Sequence, residues 1–243
     1  MHSLVVLPGM KLRVAQLDNS VVRFNVMSTS RSISARWRGG EIHVTVPPGM
    51  ATDCAVKQLL TMKDRILARR PQLAFFEGQH LDFDGFSVDV KRQSLKPDVV
   101  TLTGATFAPV VSVGTNLDFD DLHVTELISR LLCVAAKTMA PELLLPRAKE
   151  LAAGLGLEPR RWSISSGHKT LGTCKANGEI ALSAINVFLT PELRDYIVYH
   201  ELAHLSEMNH SPRFHALCDS YCGGRERELI KKLKTYKWPL MRL

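Results

Sequence analysis

The 243-residue chain has no apolar run near the roughly 20 residues that a helix needs to cross a bilayer. Its N-terminus also lacks the features of a secretory signal, because the apolar stretch covers only residues 4–7 and no basic residue precedes it. We therefore expect no membrane span and a cytoplasmic location. Apolar residues make up 45% of the chain, which is typical of a globular protein with a buried core.

Cysteine is scarce and scattered. The five cysteines are odd in number and form no CxxC pair, so neither a disulfide framework nor a zinc knuckle is indicated. We expect reduced thiols, with Cys218 and Cys222 as small buried side chains on one helix face. The chain also lacks a glycine-rich phosphate loop, which counts against nucleotide-binding classes that depend on one.

Positive charge is in excess, with 31 lysines and arginines against 24 acidic residues. Residues 225–243 contain seven basic and two acidic residues. This segment has two interpretations: a surface for nucleic acid or another polyanion, or the solvated face of a helix. Leu229, Ile230 and Leu233 lie at helical spacing and favour the second interpretation.

The first half of the chain has the alternating pattern of β-strands. Strands are predicted at residues 21–26, 32–37 and 41–46, with a turn at Gly39-Gly40, and further strands at 87–91, 99–102 and 110–113. A helix is predicted over residues 53–69, ended by Pro71. No internal repeat is evident.

The second half is mainly helical. Helices are predicted from a cap at Asp120 or Asp121 and over residues 141–153, and strands at 162–165 and 179–183. Thr190-Pro191 supplies the start of a further helix. The whole indicates an α+β fold, with a β-rich N-terminal part at residues 1–115 and a second domain at 116–243.

The segment after Pro191 contains a metal-binding pattern. His200 and His204 are four residues apart, so both imidazoles leave one face of a helix and can reach the same ion. Glu201 lies beside them at the position of a general base, where it would take a proton from a zinc-bound water. Leu193 and Ile197 continue the same stripe, which places the histidines toward the interior.

A catalytic zinc site needs a third protein ligand, and His210 follows six residues after His204. A left-handed Asn209 and a new helix starting at Ser211-Pro212 would fold His210 back over the first helix. The site then has His200, His204 and His210 as Zn²⁺ ligands and Glu201 as catalytic residue. The alternatives are two core histidines satisfied by neighbours, or a structural metal.

Supporting roles stay open at this point. Asp195, Glu207 and Asp219 are the nearby acids that could orient a ligating imidazole. Cys174 could approach the zinc or be a small buried residue. For the oxyanion the candidates are Tyr196, Tyr199, His215 and Lys169. The strand at 179–183 is a candidate edge for an extended peptide.

The run DYIVYHELAHLSEMNHSPRFHAL at residues 195–217 resembles the active-site motif of the YgjP-like metallopeptidases, relatives of the SprT-like and WLM-type zinc proteases in the zincin class. The turn at 171–174, the strand at 178–182 and Thr190-Pro191 follow the family's order. So does the opening stretch VRFNVMSTSRSISARWRGGEIHVTVP, and the resemblance covers most of the chain. It implies a zincin-like metal domain with an HExxH helix, and the four site residues above. The histidine spacing also equals that of the metzincins, but those need a glycine where Glu207 stands.

Three functions are therefore weighed. The first is a zinc metallopeptidase that acts on a peptide or protein substrate. The second is a nucleotide pyrophosphohydrolase that uses the same metal site. The third is a non-catalytic, zinc-stabilised adaptor that binds nucleic acid, in which the non-ligating Glu201 would have no purpose.

Overall fold

The computed structural model describes residues 14–18, 20–38, 41–69, 75–168 and 170–241. They form two compact units: residues 1–74 with 119–126, and residues 75–118 with 127–243, as far as these are described. Strands dominate the first part of the chain and helices the second, so the predicted α+β class is confirmed. The predicted domain boundary between residues 115 and 116 stays a prediction.

The first unit contains a four-stranded sheet with the order β1-β2-β4-β3. Its strands are β1 (Val14–Leu17), β2 (Ser20–Val26), β3 (Ser34–Arg38) and β4 (Glu41–Val46). The helix predicted at 53–69 is two helices, α1 (Thr52–Thr61) and α2 (Lys63–Leu67), which break at Met62. Val22, Ile42 and Leu59 are fully buried in its core. The predicted turn at Gly39-Gly40 and the stop at Pro71 lie outside the described residues.

The second unit contains a four-stranded sheet of the same design. Its strands are β5 (His80–Phe83), β6 (Phe86–Gln93), β7 (Val100–Ala105) and β8 (Ala108–Gly114). In both sheets the two middle strands pair in parallel and each edge strand pairs antiparallel. Corresponding strands begin at 14 and 80, 20 and 86, and 34 and 100. The two sheets therefore share their topology and strand spacing, although no repeat is evident in the sequence.

Helix α3 (Leu122–Gly154) is a single element of 33 residues. The sequence predicted two helices here, the second of them beginning at about Pro141. The helix continues through Pro141 and Pro146, and buried residues on both sides of these prolines keep it packed: Ala136, Met139, Ala140, Leu144 and Ala148. Asp121 caps its start as predicted, accepting from the backbone N–H of His123 at 2.8 Å.

A three-stranded sheet with the order β10-β11-β9 supports the metal motif. Its strands are β9 (Arg161–Ser165), β10 (Gly172–Cys174) and β11 (Glu179–Ser183). From the sequence, β11 could be an edge for an extended peptide or an ordinary sheet strand. It is paired on both sides and is therefore an ordinary strand of the sheet. The edge next to the motif is β10, three residues that had been assigned to a turn.

The remaining elements are helical. A 3-10 helix (Ala184–Phe188) leads into α4 (Pro191–Ala203), which is followed by α5 (Pro212–Tyr221) and α6 (Glu226–Thr235). Thr190 precedes α4 in extended conformation and Pro191 occupies its first position, as predicted, although the Thr190 side chain makes no capping bond. In the described part of the chain, no helix has both the length and the apolar character needed to span a bilayer.

Candidate metal centre

Three histidines converge at the end of α4. His200 lies in the last turn of the helix, His204 is the residue that caps it, and His210 lies in the turn before α5. One ligand atom from each lies within 4.8 Å of the other two, and the Nε2 atoms of His200 and His210 are 3.0 Å apart. Two nitrogens of a tetrahedral zinc site, each about 2.0–2.1 Å from the ion, lie roughly 3.3 Å apart. The three imidazoles could therefore hold a metal ion.

The turn between α4 and α5 brings His210 back to the helix. The N–H groups of Ser206 and Glu207 both donate to the Ala203 carbonyl, which closes the end of the helix. Ser211 caps α5 as predicted and accepts from the Phe214 N–H at 3.2 Å, with Pro212 at the first position. The predicted left-handed Asn209 is wrong: in the described chain Asp18 is the only non-glycine residue with positive φ. Hydrogen-bonded turns make the reversal instead.

A backbone carbonyl orients His204. Its Nδ1 lies 3.0 Å from the carbonyl oxygen of Glu207, and since a carbonyl only accepts, Nδ1 carries the proton. This leaves the Nε2 lone pair of His204 free for a metal. Among the acids considered from sequence, Glu207 thus contributes through its backbone, while its carboxylate pairs with Arg213 at 3.1 Å.

The other two acids are engaged elsewhere. The Asp195 carboxylate pairs with Arg147 at 2.8 Å, and Asp219 accepts from the Glu226 N–H at 2.9 Å. Neither bond involves a histidine of the cluster.

Phe214 forms the floor of the cluster and was missed by the sequence reasoning. It is fully buried, and its ring centroid lies 4.9, 4.4 and 4.7 Å from those of His200, His204 and His210. Its place near the start of a helix that begins with Pro212 was the sequence signal available for this role.

The pKa of His200 is lowered to about 4, first by burial and then by the neighbouring imidazoles. Burial also lowers the pKa of His204. Neutral imidazole is the form that binds metal.

Glu201 is buried beside the histidines. Its side chain is 4% exposed, and Oε2 has no hydrogen-bond partner among the described residues. Burial raises its pKa to about 7. A buried carboxyl group without a partner is costly for the fold, and such groups are concentrated at functional sites.

The cluster opens into a pocket of about 420 Å³. Of the oxyanion candidates, Tyr196 lines this pocket, whereas the Tyr199 ring packs near Tyr221 and His215 bonds to Glu226 at 2.9 Å. Lys169 lies outside the described residues. Cys174 also lines the pocket, and burial, with the charge of Glu201, raises its pKa to about 11, so it is a thiol.

In this α+β protein three imidazoles converge beside a buried carboxyl group, and such a group of side chains could hold a metal ion. The model of the YgjP-like metallopeptidase domain matches residues 31–236, and the chain belongs to this family. Comparison with curated proteins and with solved structures gave no match. Membership in a metallopeptidase family implies a metal, and the three histidines could hold it.

Proposed function

We propose that the protein is a zinc-dependent metallopeptidase in which His200, His204 and His210 hold the ion and Glu201 is the general base. The observation that carries the proposal is the buried Glu201 carboxyl group, which has no partner among the described residues although it lies next to three convergent imidazoles. A structural zinc site would give no reason to keep this group buried and unpaired.

Zinc, when bound at such a site, polarises the substrate carbonyl and makes water more acidic. The residues of the chain supply the rest. The Glu207 carbonyl holds the His204 imidazole in the tautomer that presents Nε2. Glu201 accepts a proton from the attacking water at its carboxylate oxygen and returns it to the nitrogen of the leaving amine.

Strand β10 is suited to hold an extended peptide. It is an edge strand of its sheet, and two of its residues, Gly172 and Cys174, line the pocket. An extended substrate can add to such an edge through backbone hydrogen bonds, which recognise any peptide irrespective of its side chains. This favours a peptide or protein substrate.

The test is a peptide-library hydrolysis screen on zinc-loaded protein, with Glu201→Gln and Glu207→Gln compared side by side. Glu201→Gln is expected to bind zinc and lose turnover by several orders of magnitude, because only the proton acceptor is removed. Glu207→Gln is the matched control, since its carboxylate faces Arg213 and its backbone carbonyl is unchanged. Normal turnover by Glu201→Gln would contradict the general-base assignment.

One observation favours a second candidate, a nucleotide pyrophosphohydrolase. Arg227, Lys231 and Lys234 are exposed at helical spacing on α6, while Leu233, on another side of the same helix, lines the pocket. An anionic substrate would be attracted to this surface. Nucleoside triphosphates therefore belong in the same screen, and hydrolysis of these without peptide cleavage would replace the first proposal with the second.

A further inference from the structure

The backbone at Gly172 lies directly against the Glu201 side chain. A Cβ atom at this position would lie 2.4 Å from Oε1, 2.6 Å from Cγ and 2.7 Å from Cδ of Glu201. These three atoms of Glu201 are its nearest neighbours. The φ angle of Gly172 is not in the left-handed region, so its backbone conformation is open to other residues. What excludes a side chain here is the glutamate.

Hydrogen bonds to neighbouring elements hold the strand that carries Gly172. The Leu171 carbonyl accepts two hydrogen bonds, from the Ser183 N–H at 2.9 Å and from Nδ2 of Asn186 at 2.8 Å. Asn186 is 2% exposed, and Gly172 itself is paired with Leu182 in the sheet. The backbone is therefore held in place, and the flexible end of Glu201 is the part that can give way.

We propose that Gly172 is a positioning residue, whose missing side chain leaves the space that sets the location of the Glu201 carboxyl group. The proposal rests on the proposed function, because Gly172 acts through the general base. An added methyl group moves the carboxyl group without touching the histidines. Displacement of a catalytic group by about 1 Å costs on the order of 10²-fold in rate.

The first experiment is kinetic and compares Gly172→Ala with Gly167→Ala. Among the described residues, no atom lies within 4 Å of a Cβ added at Gly167, and its φ is not positive, which makes it a matched control in the preceding loop. Gly172→Ala is expected to lower kcat on the order of 10²-fold with KM and zinc content unchanged. Gly167→Ala should match the wild type. A wild-type kcat in Gly172→Ala would overturn the proposal.

The second experiment does not depend on activity, so it separates this proposal from the proposed function. In a crystal structure of Gly172→Ala, the Glu201 carboxyl group should be displaced by more than about 1 Å while the three imidazoles stay together. An unmoved carboxyl group would overturn the proposal even if peptides are cleaved. If the wild type cleaves no peptide but the displacement is found, the positioning role of Gly172 is supported and the proposed peptidase function is contradicted.

A second variant covers the case in which Gly172→Ala does not fold. Adding Glu201→Ala to the same chain removes the three atoms that the new methyl group would meet. The double variant should then fold and melt within about 2 °C of Glu201→Ala alone. A double variant that still fails to fold would show that another contact excludes the side chain, and the proposal would be wrong.

Discussion

Residues of helix α4 line two pockets, which differ in whether their charged side chains are paired. Toward the candidate metal site the helix presents Glu201, whose carboxyl group is buried with an oxygen that has no partner among the described residues. Toward a second pocket of about 320 Å³ it presents Arg194 and Asp195, and both are paired. Arg194 contacts Asp84 at 2.8 Å, and Asp195 contacts Arg147 at 2.8 Å.

The difference indicates that one helix carries a residue for the reaction at one pocket and residues that stabilise the fold at the other. Paired charges at the second pocket hold α4 against neighbouring elements, and a ligand would gain little from groups that are already satisfied. The Asn186 Oδ1 atom there also lacks a partner in the described part of the chain, but it is neutral and far less costly to bury than a carboxylate. Substitutions of residues that line the metal pocket should therefore change activity more than stability. Substitutions of the paired charges at the second pocket should change stability more than activity.

The largest effect is expected from His204→Ala. Removal of one of three imidazoles should weaken zinc binding by more than about 100-fold, because even partners that only orient a ligand are worth 10–100-fold. Zinc titration against a competing chelator measures this. Asp195→Asn, at the second pocket, is the control and should bind zinc like the wild type. Equal affinity in His204→Ala would remove this residue from the site.

Arg194→Met should come next and act on stability alone. The buried guanidinium group donates to the carbonyls of Leu189 at 3.0 Å and Asp84 at 3.3 Å, which would lose their partner. The expected cost is about 1–3 kcal/mol, or a fall in Tm of about 3–10 °C. Calorimetry measures it, and zinc content should not change. Loss of zinc without loss of stability would contradict the division between the two pockets.

Arg147→Gln should have a smaller effect. This arginine pairs with Asp195, but its side chain is about half exposed, so water replaces much of the interaction. Exposed pairs of this kind contribute at most about 1 kcal/mol. Denaturant unfolding compares this variant with Arg194→Met, and a larger loss in Arg147→Gln would reverse the ranking by burial.

The smallest effect is a pH dependence of stability at the first turn of α4. There Glu192 bonds to Arg225 and Lys232, and both cations also hold Glu228. Hydrogen bonds from Arg225 and Lys232 lower the pKa of Glu228 to about 2. Because the folded pKa is lowered, the pairs stabilise the protein above pH about 4.5, and this contribution is lost as pH falls toward 2. Unfolding measured from pH 6 to 2 should show a shallower decline in Glu228→Gln than in the wild type.

The sequence was informative where spacing dictates geometry. The helical repeat from His200 to His204 and the Ser211-Pro212 start were enough to bring three imidazoles together. Strands with clear alternation, such as β4 and β11, were placed with the observed bounds.

The sequence reasoning missed what depends on tertiary contacts. Strands β1, β5 and β10 have three or four residues each, too few for alternation to show. A separate helix was predicted to begin at Pro141, but one helix continues through it, because burial on both sides outweighs one lost hydrogen bond. The hydrogen bond from His204 to the Glu207 carbonyl could not be predicted from residue type, because every residue has a backbone carbonyl. The contact between Gly172 and Glu201 joins residues 29 positions apart through the pairing of β10.

X-ray absorption at the zinc edge of the zinc-loaded protein tests the central claim most directly. We expect three imidazole nitrogens at about 2.0–2.1 Å, with no sulfur at about 2.3 Å. A sulfur ligand, which Cys174 of the same pocket would supply, or fewer than three imidazoles would contradict the site described here.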